Sequence, residues 1–132
     1  MKMKSILFVC VGNACRSQMS EGFARAHGPK DLVVYSAGSH PAGFVAQEAI
    51  EGMREKGINI SKHYSKGVEE IPLKEFDVVV TMGCGDYCPS VKARKRIDWQ
   101  IPDPIGRGSE FFRQVRDEIE KKVRDLLKIT RT

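Results

Sequence analysis

The sequence predicts an α/β domain built on a parallel β-sheet with helices on both faces, and three observations carry that prediction. Segments of strand length alternate with segments of helical period. The first strand candidate, Ser5 to Val9, is a continuous apolar run, as in parallel strands buried on both faces. The last long segment is strongly amphipathic.

Taken in order, Ser5 to Val9 is the first strand, bounded by a glycine-containing loop. Ser17 is placed to cap a helix in which Met19, Phe23 and Ala26 recur at helical spacing, with Gly28 and Pro29 as its stop. Leu32 to Ser36, rich in β-branched and aromatic residues, is the second strand, and Ala37 to Gly43 turns the chain. Ala46, Ala49, Ile50 and Met53 form the apolar stripe of a second helix, with Gly57 as its C-terminal cap. Phe76 to Met82 gives the strongest strand signal, and Arg96 to Trp99 a weaker fourth. From Ser109 to Leu127, the residues Phe112, Val115, Ile119, Val123 and Leu126 mark one face of a long helix.

Length and composition bound the function. With 132 residues, 41% of them hydrophobic, residues 1–132 fit a single domain with one core, expected to act as a monomer. The formal net charge of +5 is spread along the chain, with Lys92, Arg94, Lys95 and Arg96 as its one tight cluster. A solvated basic face explains this better than nucleic-acid binding, since no RNA-type aromatic and glycine motif accompanies it. No stretch approaches the ~18 apolar residues of a membrane span, and the apolar run near Met1 leads into Asn13 and Arg16 without a cleavage site. The expectation is a cytoplasmic protein without membrane contact. In a reducing compartment its four cysteines serve metal binding, catalysis or transient redox rather than structural disulfides.

Cys10 to Ser17, reading CVGNACRS, carries the chemistry. Cys10 ends the first strand and Arg16 opens the first helix, so the backbone N–H groups of Val11, Gly12, Asn13, Ala14, Cys15, Arg16 and Ser17 can converge on an anion. Arg16 adds a fixed charge, and the same field favours the thiolate form of Cys10. Gly12 allows close approach of a ligand, Asn13 tolerates unusual backbone angles, and the Ser17 hydroxyl can bond the Cys10 sulfur. In parallel sheets ligands sit at the carboxyl ends of strands, where Cys10 and Cys84 fall. Blander readings stand beside this one. Cys10 could be an inert core thiol, and Cys10, Cys15, Cys84 and Cys88 have spacings within the range of zinc ligands, although Arg16 would set an uncompensated charge beside the metal. Cys15 could simply pack inward. His27, His40 and His63 have no metal spacing and read as surface or turn residues; no metal or cofactor is expected.

The run CVGNACRSQMSEGFA, with YSAG at Tyr35 to Gly38, resembles the arsenate reductases of the low-molecular-weight phosphatase fold, and the resemblance spans nearly the whole chain. It implies a flavodoxin-like three-layer sandwich whose four-stranded parallel sheet has the order 2-1-3-4. It also implies that Cys10 attacks arsenate (phosphate or sulfate being mimics), that a second cysteine then attacks the Cys10 sulfur and releases arsenite, and that Cys84 and Cys88 carry the disulfide outward to thioredoxin. Asp103, in IPDPIG, is similar to the family's general acid, the bland reading being a turn aspartate before proline. Two alternatives share the fold: a tyrosine phosphatase working through a cysteinyl-phosphate, and a reductase that draws on a small-molecule thiol. Gln18, Met19, Glu21 and the lack of aromatic residues after Pro104 are similar to the reductases. Some of these bind potassium near the loop, and Asn13, Glu21 and Ser36 match side-chain positions of that site. Lys66 stands where an aspartate would be expected, so that its ammonium replaces the ion or the site is lost, a solvated Lys66 being the bland reading.

Overall fold

Four strands, β1 (Ser5–Cys10), β2 (Val33–Gly38), β3 (Glu75–Met82) and β4 (Lys92–Asp98), form one parallel sheet in the order β2-β1-β3-β4. The computed structural model describes residues 4–83 and 91–129, so Cys84 and Cys88 lie outside the described residues. Among the described residues three α-helices complete it: α1 (Arg16–His27), α2 (Gln47–Arg54) and α3 (Ser109–Ile129).

The central strands β1 and β3 are apolar because both of their faces are covered. Side chains alternate along a strand, so Ile6, Phe8, Val78 and Val80 go one way and Leu7, Val9 and Val79 the other. The first set joins Met19 and Phe23 of α1, Ala49 and Met53 of α2, and Phe112, Val115, Ile119 and Val123 of α3 in the larger core. The second set packs with Ala37, Ile71, Phe76 and Val91, and with Val68 of the 3-10 turn Val68–Glu70. The three layers are thus helices, sheet, and the segment that carries this short turn.

Several boundaries differ from the sequence reading, each for a physical reason. Residue 17 lies inside α1, whose N-terminal flanking residue is Cys15 with no side-chain cap, so the Ser17 hydroxyl is left for another partner. Ala26 is exposed and Ala24 takes its place in the core, because the first two turns of α1 are buried on all sides. Strand β4 starts four residues before Arg96 and ends before Trp99. Its cations hid it: as an edge strand it leaves Lys92, Arg94, Lys95 and Arg96 exposed.

Helix α2 is held to α3 by charge as well as apolar packing. The buried Arg116 guanidinium donates to the Gly52 carbonyl (3.0 Å) and to Glu55 Oε1 (2.5 Å), while Arg113 donates to Glu55 Oε2 (2.8 Å). Hydrogen bonds from Arg113 and Arg116 hold the Glu55 carboxyl down at about 2, against an ordinary 4.5. A carboxyl whose folded-state value is depressed stabilises the fold above its unfolded value, and that contribution is lost as the pH falls through the folded one. Glu55→Gln is therefore expected to be less stable than wild type in urea at pH 7, with the two unfolding midpoints converging as the pH is lowered from 4.5 towards 2.

Candidate active site

The strand register brings the chemistry to one end of the sheet. Cys10, the last residue of β1, pairs with Gly38 on one side and Met82 on the other. Gly38, from the YSAG motif, is required there: a Cβ would lie 2.7 Å from the Val11 carbonyl oxygen and 3.0 Å from the Asn13 nitrogen.

Beyond Cys10 the loop turns its carbonyls outward. Those of Cys10, Val11, Gly12 and Ala14 accept N–H groups of Ser39, His40, Ala42 and Ala46, at 2.8–3.1 Å. The Gly12 carbonyl also accepts the Ser65 hydroxyl (2.8 Å), and that of Asn13 accepts Gln18 Nε2 (3.1 Å). A trans peptide points its N–H opposite to its C=O, so the N–H groups of residues 11–15 are directed to the other side of the loop, in line with the free first turn of α1. Such a concave loop is positive without any side chain and can serve as an oxyanion cradle.

Asn13 fixes its curvature. Its backbone is left-handed (φ 49°) and its side chain is fully buried. Nδ2 donates to Ser17 Oγ (2.8 Å) and Ser36 Oγ (3.0 Å), while Oδ1 accepts Gln18 Nε2 (3.0 Å) and the Lys66 N–H (3.0 Å). Ser17 Oγ in turn lies 2.9 Å from Cys10 Sγ. While accepting from Asn13, the hydroxyl can either donate its proton to a Cys10 thiolate or accept from a Cys10 thiol.

Both loop thiols are buried. Burial pushes the Cys15 thiol far above its ordinary value, helped by the charges of Cys10 and Asp103 and opposed by Arg16. It packs in the core as a small apolar group, and the reading of Cys15 as inward-packed holds. Arg16 donates from Nη1 to the Ile101 carbonyl (2.9 Å) and lies over Gly83. Asp103 is exposed, close enough to act on Cys15 electrostatically, and accepts the Ile105 N–H (3.1 Å) as a turn aspartate does.

Sequence reasoning missed part of the support. Gln18 bonds Asn13 and the Tyr64 carbonyl, and His63, expected at a surface or turn, meets Gln18 Oε1 at 3.0 Å. Burial lowers the proton affinity of this imidazole. His27 likewise pairs with Glu120 (3.0 Å) and stacks on Phe23, while His40 is an exposed turn residue. Lys66 is not solvated: it is 7% exposed, with Nζ 3.9 Å from Glu21 Oε1. Glu21 also pairs with Arg25 (2.9 Å) and accepts the Ser36 hydroxyl (2.5 Å). A potassium ion does not fit beside that ammonium, since the carboxylate it would need is already paired with two cations. Among the described residues no group of three His, Cys, Asp or Glu is arranged to hold a metal, and no helix is long and apolar enough to cross a membrane.

Residues 5–131 match the family described as low molecular weight phosphotyrosine protein phosphatase. The chain belongs to this family. Within it, the chain is 44% identical over 124 residues to an arsenate reductase of Staphylococcus aureus, covering 91% of this chain and 93% of the relative. It is 40% identical over 128 residues to a glutaredoxin arsenate reductase of Synechocystis sp., covering 95% and 97%. A solved arsenate reductase in the phosphate-binding state superposes with a TM-score of 0.88 at 38% identity, covering 97% of this chain and 99% of that one.

Gly83 tests the cradle. Its φ is +77°, and a Cβ there would stand 2.9 Å from Arg16 Nη1. Gly57 has the same φ of +77° with nothing within 4 Å. Both Gly→Ala variants are expected to lose about 1–2 kcal/mol of stability from the left-handed backbone. Only Gly83→Ala should also weaken binding of inorganic phosphate, by about tenfold in titration calorimetry, because its methyl group displaces the guanidinium.

Proposed function

We propose that this protein reduces arsenate to arsenite, with Cys10 as nucleophile and Cys84 and Cys88 as the internal source of electrons. The observation that carries the reading is the path of the chain at the end of β3. Met82 pairs with Cys10, Gly83 lies against Arg16, and Cys84 is the next residue. A phosphatase needs no second thiol there, whereas a reductase with an internal relay does. The naming of relatives over more than nine-tenths of the chain as arsenate reductases supports the same choice.

In this reading the N–H groups of the loop and Arg16 hold the oxyanion, and Ser17 donates to the Cys10 sulfur. The thiolate attacks arsenic(V); a hydroxyl leaves with a proton from Asp103, giving a sulfur–arsenic adduct. A thiolate, Cys84 in our assignment, attacks the Cys10 sulfur. The new S–S bond forms as the S–As bond breaks, and the bonding pair leaves with arsenic, now arsenic(III). Cys88 then displaces Cys10 from Cys84, leaving an 84–88 disulfide and a free Cys10 thiolate. A protein dithiol resets the cycle. Thioredoxin is our assignment, and the glutaredoxin in the Synechocystis relative's name makes that the donor to compare. Free thiols that cycle in this way belong in a reducing compartment, and we assign the protein to the cytoplasm.

Reduced protein incubated with arsenate alone is expected to release about one arsenite and lose about two thiols per chain. Cys84→Ser and Cys88→Ser should each break the relay, and thioredoxin or glutaredoxin should restore turnover in wild type alone. Arsenite that appears only with an added small thiol, equally in all three proteins, would replace the internal relay by an external donor. No arsenite under any condition, with hydrolysis of an aryl phosphate, would turn the reading to the phosphatase.

A further inference from the structure

Arg16 leans on two segments that continue neighbouring strands of the sheet. Its Nη1 donates to the Ile101 carbonyl (2.9 Å), beyond β4, and a Cβ on Gly83, the residue after β3, would stand 2.9 Å from the same nitrogen. The guanidinium therefore sits in a slot whose walls are the extensions of β3 and β4. Its position depends on how those two strand ends are fastened to each other. The β3–β4 pairing stops at Thr81 and Asp98, and the Trp99 N–H then bonds the Thr81 carbonyl (2.8 Å).

A side-chain clasp lies at that point. Thr81 Oγ1 donates to Asp98 Oδ1 (2.8 Å), the nearer of its acceptors, with the Ile97 carbonyl at 3.5 Å. A carboxylate only accepts, so Gln100 Nε2 donates to the other oxygen, Asp98 Oδ2 (2.5 Å). One carboxylate thus grips β3 on one side and the chain after β4 on the other. The corner that follows is tight: the Ile101 N–H bonds back to the Trp99 carbonyl (3.1 Å), both residues are buried, and the Trp99 ring packs on Phe8 of β1 with centroids 6.0 Å apart. Thr81 and Asp98 have no part in the chemistry proposed above. We propose that they are positioning residues for Arg16: their hydrogen bond sets the spacing of the two strand ends, and through the Ile101 carbonyl it fixes the Nη1 corner of the guanidinium and leaves the remaining N–H groups for the oxyanion.

A planar fork binds an oxyanion tightly when its plane is already set, because its parallel hydrogen bonds share one geometry. With the clasp cut, the corner keeps its main-chain bonds but loses its side-chain tie across the strands. Arg16 must then be ordered by the ligand, which lowers affinity. A direct effect of the Asp98 charge has the opposite sign, since removing a negative charge near the site would by itself favour an anion. The inference rests on the loop of residues 10–17 binding an oxyanion, but not on arsenate as the substrate, so inorganic phosphate is the probe.

Titration calorimetry of phosphate into the reduced full chain, paired with urea unfolding, reads affinity and stability separately. Thr81→Val and Asp98→Ala are each expected to raise the phosphate Kd about fivefold. Thr81→Ser, which keeps the hydroxyl, and Asp98→Asn, whose Oδ1 still accepts from it, should bind within about twofold of wild type even where their unfolding midpoints fall. If Thr81→Val does not fold, the exposed Asp98 carries the comparison. A wild-type Kd in Asp98→Ala would overturn the proposal and reduce the clasp to a stabilising contact. So would tighter binding in Asp98→Ala and Asp98→Asn alike, the mark of a through-space charge. Failure of arsenate reduction in a protein whose phosphate binding follows this pattern would count against the proposed function alone, whereas a wild type that binds no phosphate would overturn the clasp and the cradle together.

Discussion

One buried amide holds the site together. Asn13 belongs to the loop, yet its side chain bonds Ser17 in α1, Ser36 in β2 and the backbone of Lys66, and it accepts from Gln18. Its left-handed backbone curls the loop, and its amide pins the curl to three separate parts of the fold. A buried side chain with this many polar partners is costly to leave half-satisfied, so the loop and its surroundings form together or not at all. Among the described residues no buried side-chain nitrogen or oxygen lacks a partner.

That closure explains how two cysteines five positions apart acquire different partners. Cys10 ends a strand whose next residues turn away, which leaves its sulfur beside the Ser17 hydroxyl. Cys15 stands one residue before α1 and faces the core, where a charged sulfur would be desolvated. The backbone path, rather than any difference in residue type, sets one of the two sulfurs against a hydroxyl.

Much of this was legible in the chain. The apolar runs of β1 and β3 and the heptad-like stripe of α3 are strong periodic signals, and the order of the sheet followed from the resemblance carried by residues 10–24 and 35–38. Cys10, Arg16, Ser17 and Asp103 were named from the sequence, and the fold brings the first three to one end of the sheet. Three features stayed hidden because each depends on a distant partner. Ser17 reads as a helix cap until the helix is seen to begin one residue earlier. Strand β4 is masked by its lysines and arginines, since an edge strand has no need of an apolar pattern. The bonds of Gln18 to Asn13 and of His63 to Gln18 join residues from distant segments, and His63 reads as a surface or turn residue until that contact is seen.

The cationic edge of the sheet has a consequence for how copies of this chain behave towards one another. Strand side chains alternate between faces, so Lys92, Arg94, Lys95 and Arg96 put positive charge on both sides of β4. A second copy approaching edge to edge to extend the sheet would bring those cations opposite their own images, where like charges repel and no apolar stripe offers compensation. The strand that was hardest to read is, for that reason, one that disfavours edge-to-edge pairing along the sheet. The protection is electrostatic, so it weakens as ionic strength rises and the Debye length shrinks from about 10 Å to about 3 Å between 0.1 M and 1 M salt.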